Sequence, residues 1–250
     1  MTPVSDSREV LTRPAPPPDL TVSYGPQPEH VIDVRLPARL PAPVVVVIHG
    51  GFWRAAFDRT HAGPMASALA EAGYVAVVPE YRRTGQDGGG WPGTFDDMAA
   101  ALGAVPGLVA PYDAEPPVLL GHSAGGQLAL WAATRPGPAI RRVVSLAGCA
   151  DLVMCARLGL DGGATELLLG GSPDQVPERY ASADPARLPP PTVPVTLLHG
   201  TADERVPVEV SRSYARHTGA ELRELPGAGH FTLIDPLSDV WPRVLDAIRS

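Results

Sequence analysis

The sequence predicts an α/β protein whose mostly parallel, eight-stranded sheet is covered by helices on both faces. Apolar, β-branched runs such as residues 44–48 (Val-Val-Val-Val-Ile) are typical of strands buried on both faces. Segments with helical patterns separate most of these runs, and this alternation is typical of a parallel sheet. A chain of 250 residues is long enough to bury one large core.

The elements follow from the position of these runs and of the polar, Gly- and Pro-rich stretches between them. Strands are expected near residues 21–24, 31–36, 44–49, 75–80, 118–122, 143–147, 195–199 and 221–225. Helices are expected near residues 60–72, 94–108, 124–134, 207–218 and 237–248.

Two segments interrupt this alternation. Residues 1–19 are rich in proline and predict a mobile arm, followed by a single domain over residues 20–250. Residues 151–190 lie between the sixth and seventh strands and predict a small helical lid. We expect Leu167, Leu168 and Leu169 of this lid mainly to pack.

A candidate nucleophile lies between the fifth strand and the helix after it. Residues 121–125 read Gly-His-Ser-Ala-Gly, which is the Gly-x-Ser-x-Gly pattern of a nucleophile elbow. Glycine lacks a Cβ, so the strand and the helix can crowd around the turn that presents Ser123. Alone, the pattern also fits a plain strand-to-helix turn, and further sites are needed to decide.

A second site follows the strand at residues 44–48. Residues 49–53 read His-Gly-Gly-Phe-Trp, and such a loop can present backbone N–H groups to a carbonyl oxygen. We expect the N–H groups of Gly51 and Phe52, together with that of Ala124, to form an oxyanion hole.

The candidate acid and base follow Ser123 in the chain. Asp203 lies in the loop after the seventh strand, and His230 lies in a glycine-rich loop after the eighth. A serine needs a base to take its proton, and an acid holds that base in the right tautomer. Glu204, Asp235 and Asp239 are alternatives for the acid, of which Asp235 fits a helix cap better.

The other histidines fit the role of the base less well. His49, His122 and His199 are expected at strand ends, where they satisfy local backbone groups. His61 and His217 are expected on helices as solvated surface positions. Only His230 follows Asp203 in a glycine loop.

With these four sites the chain resembles the α/β-hydrolase superfamily from about residue 20 onward. The segments 49–53 and 121–128 resemble the kynurenine formamidase (arylformamidase) group and related small carboxylesterases. The third glycine of other esterase loops is replaced by Phe52. The resemblance implies a serine hydrolase for carboxylic esters or aryl formamides with a catalytic triad and an acyl-enzyme. An acyl-peptidase, a thioesterase and a non-catalytic ligand-binding protein remain alternatives.

The pocket is less clearly defined by the sequence. Trp53 continues the oxyanion loop, Trp91 follows a glycine loop, and His122 precedes the nucleophile, so all three are candidate pocket residues. Packing of Trp53 and Trp91 against the lid is the alternative of equal weight.

Composition excludes several other functions. The net charge is −7, and no basic cluster exceeds two adjacent arginines, which argues against nucleic acid binding. We expect no cofactor and no metal, because metal-ligand spacings are absent. The N-terminus lacks an apolar signal segment, and two cysteines fit free thiols in a cytoplasmic protein. We expect a small-molecule ester or amide substrate and no membrane partner, and a homodimer stays open.

Overall fold

The structure, a computed structural model, describes residues 8–112 and 115–250. Its eight strands are β1 (Leu20–Ser23), β2 (Val31–Arg35), β3 (Val44–Ile48), β4 (Val75–Pro79), β5 (Val118–His122), β6 (Arg142–Leu146), β7 (Val195–Gly200) and β8 (Glu221–Leu225). They form one sheet in the order β1-β2-β4-β3-β5-β6-β7-β8. The β1–β2 and β2–β4 pairs are antiparallel, and the remaining pairs are parallel. The predicted, mostly parallel sheet of the α/β-hydrolase fold is confirmed.

Eight α-helices are found within the described residues. They are α1 (Gly63–Glu71), α2 (Gly93–Val109), α3 (Ala124–Ala132), α4 (Leu152–Arg157), α5 (Leu160–Leu169), α6 (Pro177–Ala183), α7 (Val208–Thr218) and α8 (Trp241–Arg249). None of them is long and apolar enough to span a bilayer.

Two predicted helix starts were wrong for the same physical reason. The segment predicted as a helix from residue 60 begins as a 3-10 turn, Arg59–Ala62, and α1 starts only at Gly63 with Pro64 in its first turn. Helix α8 starts at Trp241 rather than near residue 237, with Pro242 in its first turn. Proline has no N–H to donate, so it is favoured in the first turn of a helix and disfavoured in its interior.

The sheet separates two hydrophobic cores, as the buried strand β3 illustrates. Val45 and Val47 point into the core that α1 and α8 cover. Val44, Val46 and Ile48 point into the core formed with α2, α3 and the helices between β6 and β7. Side chains alternate between the faces of a strand, so a run of five apolar residues fits burial on both faces.

The predicted lid segment, residues 151–190, contains helices α4, α5 and α6. Leu168 and Leu169 are buried in the core, whereas Leu167 is 55% exposed on the surface. These leucines therefore pack or face solvent, and none of them lines the cavity described below.

The N-terminal segment contacts the domain over its described part, residues 8–19. A 3-10 turn, Arg8–Leu11, buries Val10 in the core under α1 and α8. Both Nη atoms of Arg13 donate to the carboxylate of Asp235. The expected mobile arm is thus anchored from residue 8 onward, and residues 1–7 lie outside the described residues.

Candidate functional site

Ser123 occupies a sharp turn between β5 and α3. Its φ of +55° lies in the left-handed region that serine rarely adopts, which is the backbone strain expected of a nucleophile elbow. The N–H of Ser123 donates to the carbonyl of Leu146 at 2.9 Å, and the N–H of Cys149 donates to the carbonyl of Ser123 at 3.1 Å. Hydrogen bonds to the end of β6 and to the loop after it therefore hold the turn in place.

Two glycines permit this turn because their neighbours leave no room for a side chain. A Cβ on Gly121 would lie 2.1 Å from the carbonyl oxygen of Gly125. A Cβ on Gly125 would lie 2.0 Å from the carbonyl oxygen of Ile48, on the adjacent strand β3. The glycines that flank Ser123 in the sequence are therefore required by the close approach of strand and helix.

Asp203 and His230 are brought together from the loops after β7 and β8. His230 Nδ1 lies 2.7 Å from Asp203 Oδ2, and both side chains are almost completely buried. No hydrogen bond to a described residue occupies Nε2 of His230. This is the arrangement in which a carboxylate fixes the imidazole and leaves its second nitrogen for a proton transfer.

The loop around Asp203 keeps its carboxylate ionised. Burial opposes the ionised form, but the side chains of His199 and His230 together with backbone N–H groups outweigh burial, so the pKa of Asp203 lies well below its usual range. Two of these N–H groups, from Arg205 and Val206, donate to Oδ1 at 2.8 and 2.9 Å.

Ser123 and His230 line one small cavity of about 50 Å³. The other residues around it are Arg8, Leu11, Gly51, Phe52, Phe57, His61, His122, Asp161, Arg205 and Phe231. The cavity is far smaller than the roughly 300–1,000 Å³ typical of sites for drug-sized ligands. Its size suits a small chemical group beside the serine.

The loop after β3 carries the predicted oxyanion-hole residues. Gly51, Phe52 and Trp53 have φ values of +109°, +48° and +54°, so three successive residues are left-handed. Gly51 and Phe52 border the cavity, and Ala124 is the first residue of α3. Among the described residues, no acceptor takes a hydrogen bond from the N–H of Gly51, Phe52 or Ala124. These three donors remain available to a ligand.

The structure brings only one of the three predicted pocket residues to the cavity. His122 lines it and donates from Nε2 to the carbonyl of His230 at 3.1 Å. Trp53 is instead fully buried in the core, where its Nε1 donates to Gln127 at 3.2 Å. The ring of Trp91 packs edge-on against that of Phe95, and the backbone N–H of Trp91 donates to the backbone carbonyl of Leu168 in α5. The packing alternative therefore describes both tryptophans.

His61 was placed wrongly by the sequence analysis. It was expected as a solvated surface position, but it lies in the 3-10 turn before α1 and lines the cavity. Burial, with a contribution from nearby His49, lowers its pKa to about 4. Burial also holds the pKa of His122 well below its usual range. Both imidazoles are therefore neutral near pH 7.

Other cavity residues were missed because they come from distant parts of the chain. Arg8 and Leu11 belong to the N-terminal turn, and Asp161 belongs to α5 in the segment between β6 and β7. Arg205 had a usable signal, because it lies two residues after Asp203 in the same loop. Asp235, the expected helix cap, instead pairs with Arg13 and accepts from the N–H of Leu237 at 2.9 Å.

No group of three or more His, Cys, Asp or Glu side chains within residues 8–112 and 115–250 is arranged to hold a metal ion. What the site offers is a strained serine, a histidine–carboxylate pair and three unbonded N–H groups.

Known proteins share this architecture. The structure superimposes on a truncated carbohydrate esterase from gut microbiota with a TM-score of 0.77 and 20% identity, covering 92% of this chain and 95% of that one. It superimposes on Esterase B from Lactobacillus Rhamnosis with a TM-score of 0.76 and 18% identity, covering 96% and 88% of the two chains. At these identities the likeness is one of fold.

Among curated relatives, Esterase LipC from Mycobacterium tuberculosis is 28% identical in an alignment 246 positions long that covers 86% of this chain and 60% of LipC. Esterase LipQ from the same organism is 27% identical, over 84% of this chain and 56% of LipQ. The chain thus spans less than two thirds of the length of these relatives. The family model BD-FAE matches residues 32–217, and the chain belongs to the BD-FAE family of α/β hydrolases.

Proposed function

We propose that this BD-FAE family member is a cofactor-independent serine hydrolase that cleaves carboxylic esters with short acyl groups. The observation that carries the proposal is the 2.7 Å contact between Asp203 and His230 in a site where His230 and Ser123 line the same cavity. The esterase names of its relatives support the same reaction class.

In the proposed mechanism, Ser123 Oγ attacks the carbonyl carbon of the ester while His230 Nε2 takes the hydroxyl proton. The oxygen of the tetrahedral intermediate accepts hydrogen bonds from the N–H groups of Gly51, Phe52 and Ala124. Each such donor is worth roughly 10²–10³ in rate. His230 then protonates the leaving alcohol, and the ester C–O bond breaks to give the acyl-enzyme.

Deacylation repeats these steps with water. His230 takes a proton from a water molecule while the water oxygen attacks the acyl carbon. It then returns a proton to Ser123 as the carboxylic acid product departs. Asp203 stays ionised throughout and stabilises the imidazolium, in agreement with its lowered pKa.

The cavity volume supports short acyl groups. About 50 Å³ suits a formyl or acetyl group and not a long chain. Each methylene that does not fit should lower kcat/KM by about tenfold, as lost complementarity of roughly 1–3 kcal/mol implies. On a series of p-nitrophenyl esters from C2 to C12, acetate should therefore be the best substrate. A maximum at C8–C12 would contradict the short-acyl assignment.

Aryl formamides are the second candidate substrates, because a formyl group also suits the cavity and residues 49–53 resemble the arylformamidase loop. Hydrolysis of N-formylkynurenine, compared with p-nitrophenyl acetate, an aminoacyl anilide and an acyl thioester, ranks the candidates. Labelling with a fluorophosphonate separates a hydrolase from a ligand-binding protein. Wild type should be labelled and Ser123→Ala should not, and an unlabelled wild type would defeat the proposal.

A further inference from the structure

Two arginines line the cavity, although the chain as a whole carries a net charge of −7. Arg8 comes from the N-terminal turn and Arg205 from the Asp203 loop, and Ser123 lines the same cavity. The Arg8 guanidinium lies 5.5 Å from the centroid of the Phe231 ring, which is also part of the cavity wall. Arginines from two separate elements therefore border the site.

Asp161 in the cavity wall and Asp203 behind His230 are already paired. Asp161, the only carboxylate among the residues that line the cavity, pairs with Arg54 at 2.5 Å. Asp203 lies behind His230 and is paired with it. Within the described part of the chain, no carboxylate forms an ion pair with Arg8 or Arg205. Their charges are left for a ligand.

Arg8 is held in position by the segment around it. Val10 is buried under α1 and α8, and Arg13 is fixed by two contacts to Asp235. Because these anchors lie on the same 3-10 turn and just after it, the Arg8 side chain starts from a fixed backbone. A prepositioned arginine loses less conformational freedom when it binds a carboxylate.

We propose that Arg8 and Arg205 form an anion subsite, and that the preferred substrates are short-acyl esters whose leaving group carries a carboxylate. This inference rests on the proposed hydrolase function. Ser123 is buried and the cavity is small, so the acyl group fills the interior. Arg8 lines the cavity and is exposed, so it can meet a leaving group that extends from Ser123 toward solvent.

The test compares two acetate esters of similar shape, 4-acetoxybenzoate and the neutral 4-acetoxybenzamide. Wild type, Arg8→Gln, Arg205→Gln and the double variant are each assayed on both. Each single substitution should lower kcat/KM for the carboxylate by roughly tenfold more than for the amide, as expected for one charge-assisted contact. The double variant should lose roughly 100-fold in this ratio.

A purely structural role for the arginines would lower both activities alike and leave the ratio unchanged. The specific loss should appear mainly in KM, because the carboxylate is bound equally before and during the reaction. Raising the ionic strength should weaken the preference in wild type. Arg135→Gln is the matched control, because Arg135 also lies over an aromatic ring, Trp131 at 5.7 Å, but away from the cavity. Its ratio should equal that of wild type.

The outcomes separate the two proposals. If wild type hydrolyses both esters and neither arginine substitution changes the ratio, the anion subsite is wrong and the hydrolase stands. If wild type hydrolyses neither ester and no fluorophosphonate labels Ser123, the hydrolase itself is wrong.

Discussion

Among the buried histidine–carboxylate pairs near the carboxyl ends of the central strands, His49–Glu80 and His230–Asp203 differ at the second ring nitrogen. His49 contacts the carbonyl of Gly50 through Nδ1 at 2.8 Å and Glu80 through Nε2 at 2.9 Å. His230 contacts Asp203 through Nδ1, and its Nε2 bonds to no described residue. Of these two histidines, His230 alone lines the cavity with Ser123. A histidine paired with a carboxylate is thus a candidate base only when its other nitrogen is left open.

Glu80 also differs from Asp203 in the segments of the chain that its carboxylate connects. It accepts from the N–H groups of Arg59 and Tyr81 at 2.9 Å, so it ties the loop after β4 to the 3-10 turn before α1. The ring of His49 stacks on Tyr81 with centroids 4.4 Å apart. The His49–Glu80 pair is therefore part of the scaffold that supports the loop after β3.

The largest expected effect concerns the proposed proton transfer. Ser123→Ala or His230→Ala should each lower kcat on p-nitrophenyl acetate by roughly 10⁵–10⁶, because the residues act as a unit. The double variant should be little worse than either single one. Residual activity of more than a few per cent in either variant, at unchanged circular dichroism, would remove that residue from the mechanism.

Asp203→Asn should cost about 10⁴ in kcat, because the amide stabilises the wrong imidazole tautomer. The exposed Asp239→Asn is the control and should behave as wild type in the same assay. Near-full activity of Asp203→Asn would make Asp235 the next candidate for the acid.

Glu80→Gln should affect mainly stability and only weakly kcat, the reverse of what is expected for Asp203→Asn. Breaking a buried pair by removing one charge costs roughly 3–5 kcal/mol of folding free energy, so urea unfolding should show a clear loss relative to wild type. At a temperature where the variant stays folded, its kcat should fall by far less than that of Asp203→Asn. An equal loss of kcat would place Glu80 in the chemistry and break the comparison.

The smallest effect concerns His61, whose pKa is lowered to about 4 in the folded protein against about 6.5 in an unfolded chain. The folded state binds this proton less readily, so the contribution of His61 to stability is present above pH 6.5. It is lost as the pH falls through 4, by at most about 3 kcal/mol. His61→Gln should therefore lose less stability than wild type between pH 7.5 and 4.5, measured by urea unfolding.

The exposed His217→Gln serves as the control and should keep the pH dependence of wild type. If His61→Gln also keeps it, the burial of His61 does not govern acid stability. Because the pKa values of His61 and His122 are lowered by burial, neither of these two histidines should produce an acid limb in kcat/KM near neutral pH.

The sheet was predictable because its strands are marked by local composition. Both faces of the run at residues 44–48 are apolar, and both can be buried together inside an α/β core. The bounds of this strand were predicted to within one residue. The helix starts at Gly63 and Trp241 were missed although Pro64 and Pro242 marked them. Both prolines were visible in the sequence, but the predicted helix bounds followed the apolar pattern instead.

The candidate site likewise has a part that local sequence predicts and a part that it does not. Ser123, Asp203 and His230 follow strands, so the order of the sheet determines that they converge. The cavity walls do not follow from local pattern. Arg8 and His61 reach the site through packing between segments far apart in the chain, and a sequence window holds no trace of that contact.

The left-handed residues around the cavity also bear on how the protein can be engineered. Phe52, Trp53 and Ser123 each hold a backbone conformation that costs roughly 1–3 kcal/mol, and glycine would remove that cost. Phe52 and Trp53 are buried in the core, and loss of either ring would cost roughly 3–5 kcal/mol, so of the three only Ser123→Gly should accumulate in a library selected for survival after heating. The same library selected for ester turnover should retain Ser123. Sequencing both pools would show whether heat resistance and turnover compete for position 123.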